Sequence, residues 1–249
     1  TIPVADLHAD PLLWKRDWLE RSERGHTDLP RMQEGGVALQ VLTAVTKSPS
    51  GQNYESNESD SDTIAYLAMA QLWPMATWNS PFERARYQGQ KLADWEARAG
   101  GEFQIIRTRQ DLQALLEARS AGSRVVGGIF GVEGAHALDG ELANLDLLDA
   151  LGLRVVGLTH FFDNRLGGSL HGVSGEGLTP FGRAVVAEAS RRQMVIDIAH
   201  ASPQMVRDVL ELNDRPVILS HGGFKGVCDS ARNLDDSLMV ELAEKGALI

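Results

Sequence analysis

Apolar runs of strand length alternate with helix-like stretches along this chain, and five of those runs stop on a histidine or a carboxylate. The run from Val4 ends in Asp6-Leu7-His8-Ala9-Asp10, and Val125 to Val132 ends on Glu133. Leu153 to Leu158 leads into Thr159-His160, Met194 to Ile198 into Ala199-His200, and Pro216 to Leu219 into Ser220-His221. Strand–helix alternation argues a parallel sheet, and a strand that closes on such a group places it at the rim of that sheet. In a closed barrel the rims converge on one mouth, where the active sites of that architecture lie.

The rest of the chain fits the same plan. Val37 to Leu42 is a second strand introduced by the Gly35-Gly36 turn signal, and residues 48 to 62 read as an exposed polar loop. Thr63 to Ala99 is mostly helical, interrupted at Pro74 and Pro81, with Trp73, Trp78 and Trp95 expected on the outside of the main body. Phe103 to Ile106 reads as a minor strand before a helix over Asp111 to Ala118. Further helices are expected over Leu142 to Leu151, from Thr179-Pro180 to Arg192, over Pro203 to Leu212 and over Asp235 to Glu244, with a last strand opening at Gly246. Setting Phe103 to Ile106 aside leaves seven strands, one short of a (β/α)8 TIM-type barrel. The chain is therefore expected to be a single barrel domain over residues 1–249 that lacks its last strand/helix unit and carries a loop and helical insertion over 48–100. An open doubly wound sheet is disfavoured because no Gly-x-Gly-x-x-Gly follows the first strand and the polar groups end too many strands.

Composition narrows the function. The chain has 249 residues and a net charge of −10, which argues against a nucleic-acid partner. The single cysteine, Cys228, excludes an intrachain disulfide framework and a cysteine-based zinc cluster. No apolar stretch approaches the roughly 20 residues that cross a bilayer, so a soluble, cytoplasmic protein is expected. The chain opens on Thr1, which leaves export after removal of a leader as the alternative.

His8 and Asp10 lie two apart, on one side of an extended strand, and both can reach one cation. Their other reading is a buried histidine and a helix-capping aspartate ahead of Pro11. Glu133 follows a strongly apolar strand; its two oxygens can bridge two cations, or it can pair with an arginine across the mouth. His200 and His221 end consecutive strands and can chelate a second cation, against the plainer reading as hydrogen-bonded core histidines. His160 is read as a substrate-facing donor. Arg232 is read as a fork for a substrate carboxylate or as a solvated arginine. Asp197 is expected to support a ligand from behind and Asp163 to cap a loop, while His26, His136 and His171 have no supporting context. Two divalent cations about 3.5–4 Å apart would bring a bridging water toward neutrality and polarise a carbonyl. The hydroxide attacks an amide or ester carbon, with Glu133 and His160 as the catalytic pair and His160 steadying the oxyanion. Imidazole-rich ligation suits two Zn2+ and leaves Mn2+ or Fe2+ open.

These residues resemble the membrane (renal) dipeptidase family of zinc peptidases, within the metal-dependent amidohydrolases. The matching pieces are Asp6-x-His8-x-Asp10, Gly131-Val132-Glu133-Gly134-x-His136, Leu158-Thr159-His160, Gly177-Leu178-Thr179-Pro180-Phe181-Gly182, Asp197-x-x-His200 and Ser220-His221, then Cys228, Arg232-Asn233 and Asp235-Asp236. Together they span nearly the whole chain in the family's order. The resemblance implies a dinuclear zinc barrel that hydrolyses dipeptides, often with a D-residue at the C-terminal position, and in some members β-lactams. It implies His8 and Asp10 on one zinc, Glu133 bridging, His200 and His221 on the other, His160 beside the scissile carbonyl and Arg232 on the free carboxylate. The family also has an aspartate at the end of the last barrel strand to shuttle protons. This chain reaches Ile249 before that strand, and Asp229 and Asp235 lie on the wrong loop to replace it. An amidohydrolase acting on a cyclic amide, lactone or phosphoester, and an inactive binding homologue, are the alternatives. A homodimer is a further expectation.

Overall fold

A computed structural model of the chain describes residues 2–249. Its centre is a parallel sheet of six strands: β1 (Val4–Ala9), β2 (Val37–Val45), β3 (Phe103–Ile105), β4 (Val126–Glu133), β5 (Leu153–Gly157) and β6 (Val195–Asp197). The hydrogen-bonded order is β1-β2-β4-β5-β6, and single parallel bridges carry it on from Asp197 to Ile218 and from Ile218 to Leu248. The strands expected over 216–219 and from Gly246 are thus reduced to one bridging residue each. Phe103 to Ile105, set aside as minor, instead belongs to the sheet. It pairs with the first half of β4, from Phe103 against Val126 to Ile105 against Gly128, while β5 pairs with the second half.

Among the described residues eight α-helices connect and cover the strands: α1 (Leu29–Gly35), α2 (Thr63–Ala70), α3 (Pro81–Arg98), α4 (Arg109–Ser120), α5 (Asn144–Ala150), α6 (Pro180–Arg191), α7 (Pro203–Leu212) and α8 (Asp236–Glu244). Their starts are written locally. Asp28, Asp62, Ser80, Thr108, Thr179 and Ser202 each accept from a backbone N–H of the first turn, and proline follows directly at Pro81, Pro180 and Pro203. Thr108 and Asp111 form a reciprocal capping box. At the other end of α1, Gly36 closes the helix in the left-handed region at φ 75°, which a side chain would resist.

The main core lies between the sheet and these helices. Trp95 of α3, expected on the outside, is 1% exposed there and stacks on Trp18, which meets Phe103 edge-on. The reason is α3's apolar face: Phe82, Ala85, Leu92 and Trp95 all face inward. Trp73 and Trp78 join Leu13, Val45 and Ile64 in a smaller cluster beside the rim of the sheet.

The sheet is strongly curled. Five strand-to-strand steps of about 4.8 Å would put β1 and the Ile218 segment roughly 24 Å apart in a flat sheet. Yet the rings of His8 and His221, at the ends of those two segments, have centroids 4.1 Å apart. β4 and β5, paired neighbours in the sheet, leave no space between their backbones at the C-terminal ends. A Cβ on Gly157 would stand 2.7 Å from the Val132 carbonyl oxygen and 3.5 Å from the Glu133 Cα. Gly157→Ala is therefore expected to cost about 1–3 kcal/mol, because backbone, not a flexible side chain, must give way. Equilibrium denaturation checks this, and a loss below 0.5 kcal/mol, about the size of an ordinary surface change, would refute it.

Candidate metal centre

Four of the six strands and the Ile218 bridge deliver a terminal polar group to the same spot. His8 lies on β1, Glu133 is the last residue of β4, and His160, His200 and His221 follow β5, β6 and the Ile218 bridge. Glu133 is the hub. Its Oε1 lies 3.3 Å from His8 Nε2, 3.2 Å from His200 Nε2 and 3.5 Å from His221 Nε2, and its Oε2 lies 3.3 Å from His160 Nε2. Four imidazoles occupy the place where an arginine was the alternative. Two groups of potential ligand atoms share this glutamate, His8–Glu133–His221 and Glu133–His160–His200, with the atoms of each group within 4.8 Å of one another. The two groups are not separate, since His200 and His221 also approach each other through their Nε2 atoms.

Asp10 is drawn in from the side. It precedes the short 3-10 turn Pro11–Leu13 but makes no side-chain cap there. Instead Oδ1 accepts from the Thr43 hydroxyl on β2, and Oδ2 lies 3.4 Å from His8 Nε2. His200 is held at φ 65°, a left-handed conformation unusual for a histidine. Its carbonyl accepts from the Leu170 N–H at 2.7 Å and the Thr159 hydroxyl at 2.9 Å, so loop contacts hold the turn that aims the ring.

The electrostatics fit a cation. Burial opposes the charged form of His8, but hydrogen bonds that its ring donates to Asp10 and Glu133 push its imidazole up to about 11. Burial likewise opposes ionisation of Glu133, but His160, His200 and His8 hold its carboxyl well below the usual carboxylate range. Burial drives His200 well below its ordinary value, and burial together with the neighbouring His8 takes His221 to about 3. His200 Nε2 and His221 Nε2 face each other at 3.0 Å. With the hydrogen of each ring on Nδ1, two lone pairs would meet at that distance, and a cation held by both would relieve their repulsion. A buried carboxylate surrounded by imidazole nitrogens is the donor set of a nitrogen- and oxygen-ligated divalent metal.

A cavity of about 430 Å³ opens over this cluster, lined also by Leu13, Val45, Tyr54, Phe161 and Arg232. Arg232 is half-buried, not solvated, and donates to the His221 carbonyl oxygen at 2.8 Å. Asp163 caps its loop as expected, accepting from the N–H groups of Ser169, Val173 and Ser174. His171, which had no supporting context, is fully buried against the site. Its ring stacks on Phe161 at 4.8 Å, stands 5.3 Å from His200, and bonds the Tyr54 carbonyl oxygen through Nδ1 at 2.7 Å. Its carbonyl accepts from Asn57, so His171 ties the loop that carries Tyr54 to the rim of the sheet. No local pattern in the sequence marks that role. His136 and His26 stand outside the cluster of ligand atoms.

Imidazoles and carboxylates gathered at the C-terminal rim of a curled parallel sheet define an α/β protein with a candidate metal site at that rim. The chain belongs to the membrane dipeptidase family (Peptidase family M19), whose model matches residues 1–249. It is 28% identical over 236 residues to "Dipeptidase 3" of Macaca fascicularis, covering 90% of this chain and 46% of that one. It is 28% identical over 247 residues to the human "Dipeptidase 3", covering 93% and 41%. The chain thus spans less than half the length of these relatives. Among solved structures it is similar to a dipeptidase AC of family M19 (TM-score 0.71, 28% identity, 98% of this chain and 70% of that one). It is also similar to a metallopeptidase of Rhodobacter sphaeroides liganded with a phosphinate mimic of the dipeptide L-Ala-D-Ala (TM-score 0.70, 26% identity, 99% and 72%). Among the described residues no helix is long and apolar enough to cross a membrane.

Proposed function

We propose that this chain supplies the metal centre and substrate cavity of a zinc-dependent dipeptidase. The observation that carries the reading is one buried carboxylate, Glu133, shared between two groups of imidazoles at the floor of a cavity. His8, Asp10, Glu133, His200 and His221 would hold two zinc ions, with Glu133 common to both. Bound there, such ions would polarise a carbonyl and bring a water toward neutral pKa. The chain's own groups do the rest. His160, 3.3 Å from Glu133 Oε2, faces the cavity where a scissile carbonyl oxygen would lie and is placed to donate to it. Arg232, already anchored to the His221 carbonyl, turns a planar fork toward a free carboxylate. Leu13, Val45, Tyr54 and Phe161 exclude water from one wall.

The finer reading of the fold belongs here too. The curled sheet is read as the wall of a (β/α)8 barrel, in which β1 and the Leu248 bridge would be the strands on either side of the gap. Both of those edges carry half-exposed apolar side chains, Val4 at 50% and Leu248 at 55%.

The test is metal analysis joined to hydrolysis of L-Ala-L-Ala and L-Ala-D-Ala. Expected are two zinc ions per chain, cleavage of both substrates, loss of cleavage on chelation and recovery with zinc. Arg232→Ala is expected to raise KM for dipeptides by roughly 10–100-fold, the worth of a charge-assisted hydrogen bond of about 1.5–3 kcal/mol, with kcat little changed. A protein without bound metal, or one that cleaves dipeptides after chelation, overturns the reading. Indifference of dipeptide cleavage to Arg232→Ala would favour a cyclic amide, lactone or phosphoester as substrate.

A further inference from the structure

The far ring nitrogens of the clustered histidines are not treated alike. Nδ1 of His8 and Nδ1 of His200 are buried with no hydrogen-bond partner among the described residues. Nδ1 of His221 lies 2.9 Å from Ser220 Oγ, and that hydroxyl also bonds Asp197 Oδ2. Asp197 is 4% exposed at the end of β6, and its Oδ1 accepts from the N–H groups of Ala199 at 3.0 Å and Ser220 at 3.1 Å. Asp197 thus binds across to the next segment of the sheet, 23 residues along the chain, rather than to the His200 ring three residues on.

The direction of these bonds follows from what each group can do. Backbone N–H groups only donate, so Asp197 Oδ1 accepts twice. Its Oδ2 takes the Ser220 proton, which leaves Ser220 Oγ with lone pairs to offer His221. His221 then carries its hydrogen on Nδ1. Its Nε2, 3.5 Å from Glu133 Oε1, is left with a bare lone pair aimed at the cluster.

We propose that Asp197 and Ser220 are positioning residues that fix the tautomer and ring orientation of His221, so that one of the two cation positions depends on a hydroxyl that touches no metal. The proposal rests on the metal-centre reading above. It gives His221 a held ligand geometry that His8 and His200 do not receive from their own far nitrogens. Because His221 is a third exposed, its ring would otherwise swing toward the cavity.

Zinc titration of the purified protein against a chromophoric chelator, with cobalt(II) spectra as a second readout, tests this. Ser220→Ala is expected to weaken one of two ions by about 10–100-fold and leave the other unchanged, the usual cost of removing a partner behind a metal-binding histidine. The cobalt d–d bands are expected to shift, and circular dichroism to show that the metal-free protein still folds. Ser220→Thr, which keeps the hydroxyl, restores affinity and spectrum. Asp197→Asn, which keeps the shape but turns an acceptor into a donor, reproduces the loss at the same ion. Wild-type affinity for both ions in Ser220→Ala, or failure of threonine to rescue, overturns the proposal alone. A wild-type protein that takes up no zinc overturns the metal-centre reading and this proposal with it.

Discussion

Glu133→Gln is expected to lower kcat/KM for dipeptides by about 10³-fold, or ~4 kcal/mol of barrier, and to cut bound zinc from two ions to one or none. Glutamine keeps the size and shape of the side chain, so the effect isolates charge. The carboxylate faces three Nε2 atoms through one oxygen and His160 through the other. An amide supplies one neutral oxygen and one NH2 group, and the NH2 points hydrogens at a nitrogen that must keep its lone pair free. The loss therefore falls on both groups of ligands at once, which no single histidine replacement would do. Metal analysis beside steady-state kinetics checks it, with circular dichroism to show that the chain still folds. Activity within tenfold of wild type, with two ions still bound, would remove Glu133 from the centre of the site.

Arg84→Met is expected to lower the thermal midpoint by roughly 10 °C, from a loss of about 3–5 kcal/mol at 2–4 °C per kcal/mol. Arg84 lies on α3, 1% exposed, and donates to the carbonyl oxygens of Thr46 at 2.7 Å, Thr77 at 2.6 Å and Trp78 at 2.6 Å. It also pairs with the Asp62 carboxylate at 2.5 Å, whose other oxygen caps α2. Methionine fills the volume but leaves three carbonyls and one oxygen of the Asp62 carboxylate without the donor they now have. The residues so anchored, 46 to 62, carry Ser48, Gln52 and Tyr54 into the cavity, so catalysis is expected to suffer with stability. Calorimetry decides the matter, and a shift below 3 °C, about what 1 kcal/mol moves a chain of this size, would show that the buried arginine is dispensable.

Arg84 also illustrates what the sequence conceals. Within Phe82 to Arg86 it is one of two arginines, two residues apart and so on different faces of the helix, and only the packing shows which face is inward: Arg86 stays 41% exposed and pairs with Glu83 one turn back. The same holds for His171, a loop histidine with no periodic context, and for β3, three residues whose place is set by pairing with β4. By contrast the helix starts at Thr179-Pro180 and Ser202-Pro203 are legible, because a cap and a proline act within one turn.

Sequence by itself determined that the chain builds a parallel α/β sheet and that His8, Asp10, Glu133, His160, His200 and His221 stand at strand ends. Both follow from local rules: apolar runs must be buried, and a polar group that ends such a run is left at the rim. Tertiary structure alone decided which of these groups meet, that Asp197 reaches His221 through Ser220, and that Arg84 lies in the interior. Those outcomes depend on the curl of the sheet and on loops that pack across it, and such contacts join residues far apart in the chain whose neighbours in sequence carry no trace of them.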